Sequence, residues 1–482
     1  MELSLRDKTL ASAGVILGIF LAAIESTAVA TAMPSATSAL GGIGLIHYVF
    51  AAYSLATVTT IMIWGKLADI WGLKRSFMVG CSIFLFGSAL CGISTHVYEL
   101  ITFRFIQGIG AGAIFPVAMT TLGAIHTEVK RAKMQIYLSM VWAIASVMGP
   151  PVGALVTHHL SWHWVFYLNL PAGLVALGLV SAGLRGYIDG DALEKRTFDT
   201  KGSMILSLAI FSLLAAIAVD RNGRLIMGWP GMLILAATAF GFLVLFGRHI
   251  LTTRHPFVAE HILKNTIFIR AGASNFFMCM AMFGSFAYVP LFCQAGLGET
   301  VAGAGRTLTV SMFGWITSSA FATRAYLRYS LRTLSRMGIA VMTLAFAYLA
   351  SHLNGISVTA FRVSMFAMGS GMGICFAPML LGLQSALPRR DLGAGTASLQ
   401  LLRNLGGLMG VAVMGTLLAL YWDKSRFVAG AAPLLETQLM ARQAMSKVFL
   451  VDTLIALAGL LSAWGLPSLV PKREAVTAPV AL

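Results

Sequence analysis

The chain has 482 residues, of which 58% are hydrophobic and only 11% charged, with a mean hydropathy of +0.83. A soluble domain carries about 25% charged residues, so the composition excludes a soluble enzyme and marks a polytopic membrane protein. The net charge of +16 is spread over short loops between apolar runs, which argues against a nucleic-acid surface and follows the positive-inside pattern.

A helical spanner needs about 20 apolar residues, and fourteen runs are expected to supply one. The first six are 11–33, 47–64, 76–95, 100–122, 134–157 and 165–184; two more are 202–219 and 230–248. The last six are 268–291, 301–322, 334–352, 358–382, 393–419 and 447–466. Alternate loops together with the two termini hold 24 of the 34 lysines and arginines, which predicts that this side and both termini are cytoplasmic. Arg6 and Lys8 precede the first run as in a signal peptide, but the run is too long for one and contains Glu25, so it reads as an uncleaved spanner.

The expected fold is an all-α membrane protein with fourteen transmembrane helices in a 6+2+6 plan. Residues 1–185 would form an N-terminal six-helix bundle, 186–265 a linker with two extra central helices, and 266–482 a C-terminal six-helix bundle. The longest polar stretch, Arg185 to Lys201, marks the first boundary. The five cysteines, Cys81, Cys91, Cys279, Cys293 and Cys375, lie in or beside apolar runs and form no CxxC pair. Neither a disulfide framework nor a metal site is expected from them, and no cofactor is expected.

The first run ends Glu25-Ser26-Thr27-Ala28-Val29-Ala30-Thr31-Ala32-Met33-Pro34. A charged, unpaired carboxylate at that depth costs about 3 kcal/mol on insertion scales and more in simulations. Glu25 is therefore paired, or neutral for part of its working life, and a group held between those states can carry a proton. Arg104 opens the fourth run, Leu100-Ile101-Thr102-Phe103-Arg104-Phe105-Ile106-Gln107-Gly108. At ~1.5 Å per residue it lies at a depth from which its long side chain can reach Glu25 if the two helices are neighbours. A snorkelling cation at the helix mouth is the plainer alternative.

The loop after the second run reads Gly65-Lys66-Leu67-Ala68-Asp69-Ile70-Trp71-Gly72-Leu73-Lys74-Arg75. Its glycines permit a tight reversal, and Asp69 can accept hydrogen bonds from a helix N-terminus or pair with the adjacent cations. The fifth run holds Gly149-Pro150-Pro151-Val152-Gly153, where the prolines are expected to kink the helix and the small residues to admit a close neighbour. After it comes Ser161-Trp162-His163-Trp164-Val165-Phe166-Tyr167-Leu168-Asn169-Leu170-Pro171-Ala172-Gly173, whose aromatics also suit an interfacial belt. In the second half, Met278, Phe283 and Tyr288 offer adaptable apolar surface to a ligand or to lipid. Arg403 interrupts the thirteenth run and must face protein or water. Asp452, near the outer end of the last run, is expected to be solvated.

These motifs resemble the major facilitator superfamily. Gly65, Asp69, Gly72, Lys74 and Arg75 match its signature loop, although Ile70 and Leu73 stand where basic residues are usual. Gly149, Pro150 and Gly153 partly match the exporter motif, and the Trp162 to Gly173 string resembles fourteen-spanner drug:proton antiporters of the EmrB/QacA type. That resemblance implies export of hydrophobic, often cationic compounds in exchange for protons across the cell (inner or plasma) membrane. It implies Glu25 as proton carrier, Arg104 as its tuner and Asp69 as part of a cytoplasmic gate. Met278, Phe283, Tyr288 and Arg403 would line a substrate cavity. The partners expected are a small-molecule substrate, protons and the bilayer, and no nucleic acid; a periplasmic adaptor would be a separate chain. An exporter of one metabolite, lipid or siderophore, and an importer on the same fold, stay open. An intramembrane enzyme is disfavoured, because the sequence has no HExxH, paired intramembrane Asp or Ser/His set.

Overall fold

The computed structural model describes residues 3–41, 45–187, 199–216, 227–253, 260–326, 328–388, 391–422 and 435–468. Most of the expected Arg185–Lys201 linker, Pro150's side chain and the loop cations Arg389 and Arg390 lie outside the described residues. The described chain is helical. The first half consists of α1 (Leu5–Ala39), α2 (Ile46–Trp71), α3 (Leu73–Gly92), α4 (Val97–Ile125), α5 (Glu128–His159), the short α6 (His163–Tyr167) and α7 (Asn169–Gly183). Next come α8 (Thr200–Ala216), α9 (Gly228–Thr252) and α10 (Glu260–Leu263). The second half has α11 (Thr266–Phe286), α12 (Val289–Ala295), α13 (Val301–Ala325), α14 (Leu331–His352), α15 (Val358–Ala386), α16 (Leu392–Tyr421) and α17 (Leu435–Trp464).

The structure corrects the count of fourteen spanners. Among the described residues, eleven helices are long and apolar enough to cross a membrane. Within the described residues the 202–219 run gives the 17-residue α8, below the ~20 residues a crossing needs. The 301–322 run forms α13, whose Arg306, glycines, serines and threonines dilute its apolar character. The 134–157 run falls in α5, several of whose side chains lie outside the description. α5 is nonetheless a single helix across positions 149–151.

Four helix starts in the second half have a local reason. Asn265 accepts from the Ile267 and Phe268 amides, Thr300 from Gly303, Ser330 from Thr333 and Ser357 from Ala360. Such caps satisfy amides that have no partner within the helix. Gly72 ends α2 and starts α3 at φ 86, a left-handed conformation that a side chain rarely tolerates.

The two halves repeat one packing plan. α1 packs on α5 and α7, as α11 packs on α16 and α17. α4 packs on α2 and α3, as α15 packs on α13 and α14; α3 meets α7 as α14 meets α17. The repeat was not legible in the sequence. It makes α1 correspond to α11, α4 to α15, and α7 to α17. The halves meet through α2 against α16 and α5 against α13, two contacts that the same correspondence exchanges. α8 and α9 pack on each other, and α8 also touches α2.

Candidate functional site

Three charged features stand inside the bundle. The first is the pair expected from sequence. Glu25 of α1 and Arg104 of α4 are each 1% exposed. Arg104 Nη1 donates to Glu25 Oε1 and, at 2.7 Å, to Gln107 Oε1. Asn169 Nδ2, at the start of α7, donates to Glu25 Oε2 and lies 2.9 Å from the Ser88 hydroxyl oxygen. Ser88 in turn donates to the Phe166 carbonyl at 2.8 Å. The guanidinium carbon lies 4.1 Å from the Tyr53 ring centre and 5.9 Å from that of Phe166. Arg104 is therefore an inward-facing partner of the acid, not a snorkelling cation. Removing two charges from water costs several kcal/mol per ion, and only close pairing with further hydrogen bonds offsets it. Here one carboxylate oxygen meets Arg104 and the other meets Asn169.

Asn169, Gln107, Ser88 and Tyr53 were not singled out as site residues. Gln107 had a signal, since it stands three residues after Arg104 and so shares its helix face. Asn169 had a weaker one, as the lone amide of an aromatic string. Ser88 and Tyr53 had none.

The exporter-type glycines support the same site from behind. A side chain at Gly149 would collide with Thr27, and one at Gly153 with Thr31 and the Ala28 carbonyl. The absence of a Cβ lets α5 close against α1 one turn beyond Glu25, where Thr27 Oγ1 donates to the Ala145 carbonyl at 3.0 Å. The structure thus places Gly149 and Gly153 at a close helix contact; Pro150's side chain is not described.

The second feature joins the halves. Asp69 Oδ1 accepts from the Gly393 amide and Oδ2 from the Ala394 amide, each at 2.9 Å. Asp391, in the capping position of α16, makes no side-chain cap bond there. A carboxylate from the other half supplies the cap instead, where the helix dipole favours negative charge. Gly65 makes this approach possible, because a Cβ there would strike Ala397 and the Gly393 carbonyl. Lys74 ties the loop back to its own half, donating to the Ser181 carbonyl at 2.9 Å. Arg75 lies over the Trp71 ring at 5.3 Å and is exposed. A second cross-half bond runs at 3.4 Å from Gln384 of α15 to the Met119 carbonyl of α4.

The third feature is Arg403 of α16, 7% exposed. Its guanidinium carbon is 4.4 Å from the Phe376 ring centre, 5.6 Å from Phe115, and 6.0 Å from both Phe283 and Trp315. Of the expected cavity residues, Phe283 belongs to this ring of aromatics. Met278 is fully buried against the Cys375 sulfur, 2.7 Å away, and Tyr288 donates to the Val411 carbonyl at 2.9 Å, pinning the junction of α11 and α12 to α16. Phe115, Trp315 and Phe376 were missed, because they come from three different helices and share no sequence spacing with Arg403.

The expectation for Asp452 is also corrected. It is 0% exposed, accepts a hydrogen bond from Ser285 of α11, and its Oδ1 has no partner. Its position near a helix end suggested water, but α11 and α17 close over it. All five cysteines are buried and free.

Residues 15–411 match the model of the Major Facilitator Superfamily. The chain belongs to that superfamily. Its members are transporters rather than enzymes, and the many apolar helices mark a multi-pass integral membrane protein. Multidrug transporter protein MdtP of Bacillus subtilis (strain 168) is 32% identical, over 85% of this chain and 75% of its own length. Multidrug resistance protein 3 of the same organism is 31% identical, over 84% of this chain and 78% of its own length. Efflux pump dotC of Dothistroma septosporum is 29% identical, over 83% and 68%. Among solved structures, the human organic anion transporter MFSD10 aligns with a TM-score of 0.65 at 12% identity, covering 93% of this chain and 99% of that one. The proton:xylose symporter XylE aligns at 0.63 and 13%, covering 93% and 94%. At such identities the structural likeness speaks for the superfamily fold alone.

Proposed function

We propose that this superfamily member exports hydrophobic small molecules in exchange for protons, as a drug:proton antiporter of the cell membrane, with Glu25 as the proton carrier. The observation that carries the reading is the buried Glu25–Arg104 pair with Asn169 on the second carboxylate oxygen. An intramembrane acid with its partner named is a functional site by default. Proton binding cancels the charge that Arg104 holds, so loading or unloading the acid changes the forces between α1, α4 and α7. The names of the relatives, two multidrug proteins and an efflux pump, support export of foreign or toxic compounds.

In this reading residues 1–185 and 266–482 rock against each other, with 186–265 as an accessory segment. The Asp69 cap on α16 locks the cytoplasmic side, and both termini face the cytoplasm. Loss of the cap lets the halves part there and gives the alternating access of secondary transporters.

Everted membrane vesicles test the proposal. With a hydrophobic fluorescent substrate and an imposed pH gradient, wild-type protein should drive uptake. Glu25→Gln should abolish gradient-driven uptake at normal expression, and Glu25→Asp should retain part of it. Full gradient-driven uptake by Glu25→Gln would remove Glu25 as the carrier.

A further inference from the structure

Arg403 differs from Arg104 in what surrounds it. It is 7% exposed, ringed by Phe115, Phe283, Trp315 and Phe376, and no carboxylate or other hydrogen-bond acceptor among the described residues pairs with it. An arginine carries five N–H donors and no acceptor. Aromatic faces attract its charge, but they leave those donors unmet. Burying an ion costs several kcal/mol unless it is paired and hydrogen-bonded. A buried cation held this way is waiting for an acceptor from outside the protein.

The neighbourhood supplies a further unmet donor. Phe115 and Phe376 also border a small void of about 10 Å³, together with Asn275, Thr396, Leu399 and Gln400. Asn275 is fully buried and its Nδ2 has no partner, while its Oδ1 is taken by the Cys279 thiol at 3.6 Å. Asn404 Oδ1 is likewise taken, by Gln400 Nε2 at 3.1 Å. Two unmet donor groups, Arg403 and the Asn275 amide, therefore adjoin the same aromatic patch.

Its place in the bundle is that of a transport path. Arg403 stands ten residues along α16 from Gly393, about 15 Å from the Asp69 cap at ~1.5 Å per residue. Phe115 comes from the first half, whereas Phe283, Trp315 and Phe376 come from the second. Parting the halves would lift Phe115 away and open the guanidinium to the cavity between them. At 10 Å³ the void is closed to a ligand here, as expected while the Asp69 cap is made.

We propose that Arg403 is the receptor for an anionic group on the transported molecule, so that this site takes organic carboxylates with an aromatic or other apolar body. The inference rests on the transporter reading above, and it names the substrate class. The planar guanidinium matches a carboxylate with two parallel hydrogen bonds, the Asn275 amide adds a third donor, and the rings receive the apolar body. With Glu25 held by Arg104, the unpaired Arg403 makes this site locally positive, which disfavours cationic molecules there.

The test is equilibrium binding to the purified full-length chain in detergent, with three probes of one shape: diphenylacetate, diphenylacetamide and diphenylethylamine. Hydrogen bonds to a charged group contribute about 1.5–3 kcal/mol, so diphenylacetate should bind at least ~10-fold more tightly than the amide, and the amine should bind weakest. Arg403→Gln should erase the preference for the acid. Arg403→Lys keeps the charge but loses the fork and should keep only part of it. If Arg403→Gln does not fold, the wild-type ranking and Arg403→Lys decide the matter. Equal binding of acid and amide by the wild type, an amine ranked first, or a preference that survives Arg403→Gln would overturn the proposal. Gradient-driven export that fails while the acid preference holds would strike the antiporter reading alone. Export that works without any acid preference would strike the anion site alone.

Discussion

The two halves bury acids in different ways. In the first, Glu25 of α1 is matched by Arg104 and Asn169. In the second, the acid sits on α17, and its partner on α11, the counterpart of α1, is a single serine. α15, the counterpart of α4, does carry an arginine, but Arg362 lies near the helix start and pairs with Glu299 at 2.8 Å. The repeat therefore conserves the packing and not the charge. One half holds a balanced ion pair that protonation can unbalance. The other holds an acid without a cation, Asp452, and a cation without an acid, Arg403.

The comparison can be broken most sharply at Arg104. Arg104→Leu leaves Glu25 buried without its cation, and removing one partner of such a pair costs about 3–5 kcal/mol. Thermal unfolding in detergent should show a large loss, and Glu25→Gln combined with Arg104→Gln should recover much of it. Losses that simply add in the double variant would mean that the two groups are not coupled.

Asp69→Asn comes next. It keeps an acceptor but removes the charge opposite two amides of α16, a loss of about 1–2 kcal/mol. Initial transport rates, normalised to protein in the membrane, should fall more than expression does. Unchanged rates would reduce the loop to an anchor.

Gly149→Val tests the close contact of α5 with α1. Overpacking of this kind costs about 1–3 kcal/mol, and the nearest atoms to move are those of Thr27, two residues from Glu25. Lower thermal stability with impaired proton-driven export is expected; a further Thr27→Ala change should restore part of both.

The smallest effect is expected at Asp452→Asn. The amide has the same shape, its oxygen can still accept from Ser285, and no cation is left unpaired. Stability and transport should change little, below about 1 kcal/mol in stability. Abolished transport would place a second proton on the path and erase the contrast between the halves.

Chain order alone carried much of the first half of this contrast. Glu25 and Arg104 announced each other because an ionisable group deep in an apolar run demands a partner, and helical rise placed them at reachable depths. Asp69 between Gly65 and Gly72 likewise signalled a carboxylate poised for a helix N-terminus. The all-helical class followed from the apolar runs, since helices satisfy their backbone groups within one segment. Their number did not follow so well: the described part of α8 is short and α13 is polar, and both differ from their neighbours by degree rather than by kind.

Only the tertiary structure decided which helix faces meet. It brought Asn169 to the second oxygen of Glu25, assigned α16 as the recipient of the Asp69 cap, closed α11 over Asp452, and gathered four aromatic rings from four helices around Arg403. Spacing along a helix fixes the direction of a side chain relative to its own neighbours, whereas these contacts join residues 27 to 325 positions apart, and no local periodicity encodes them.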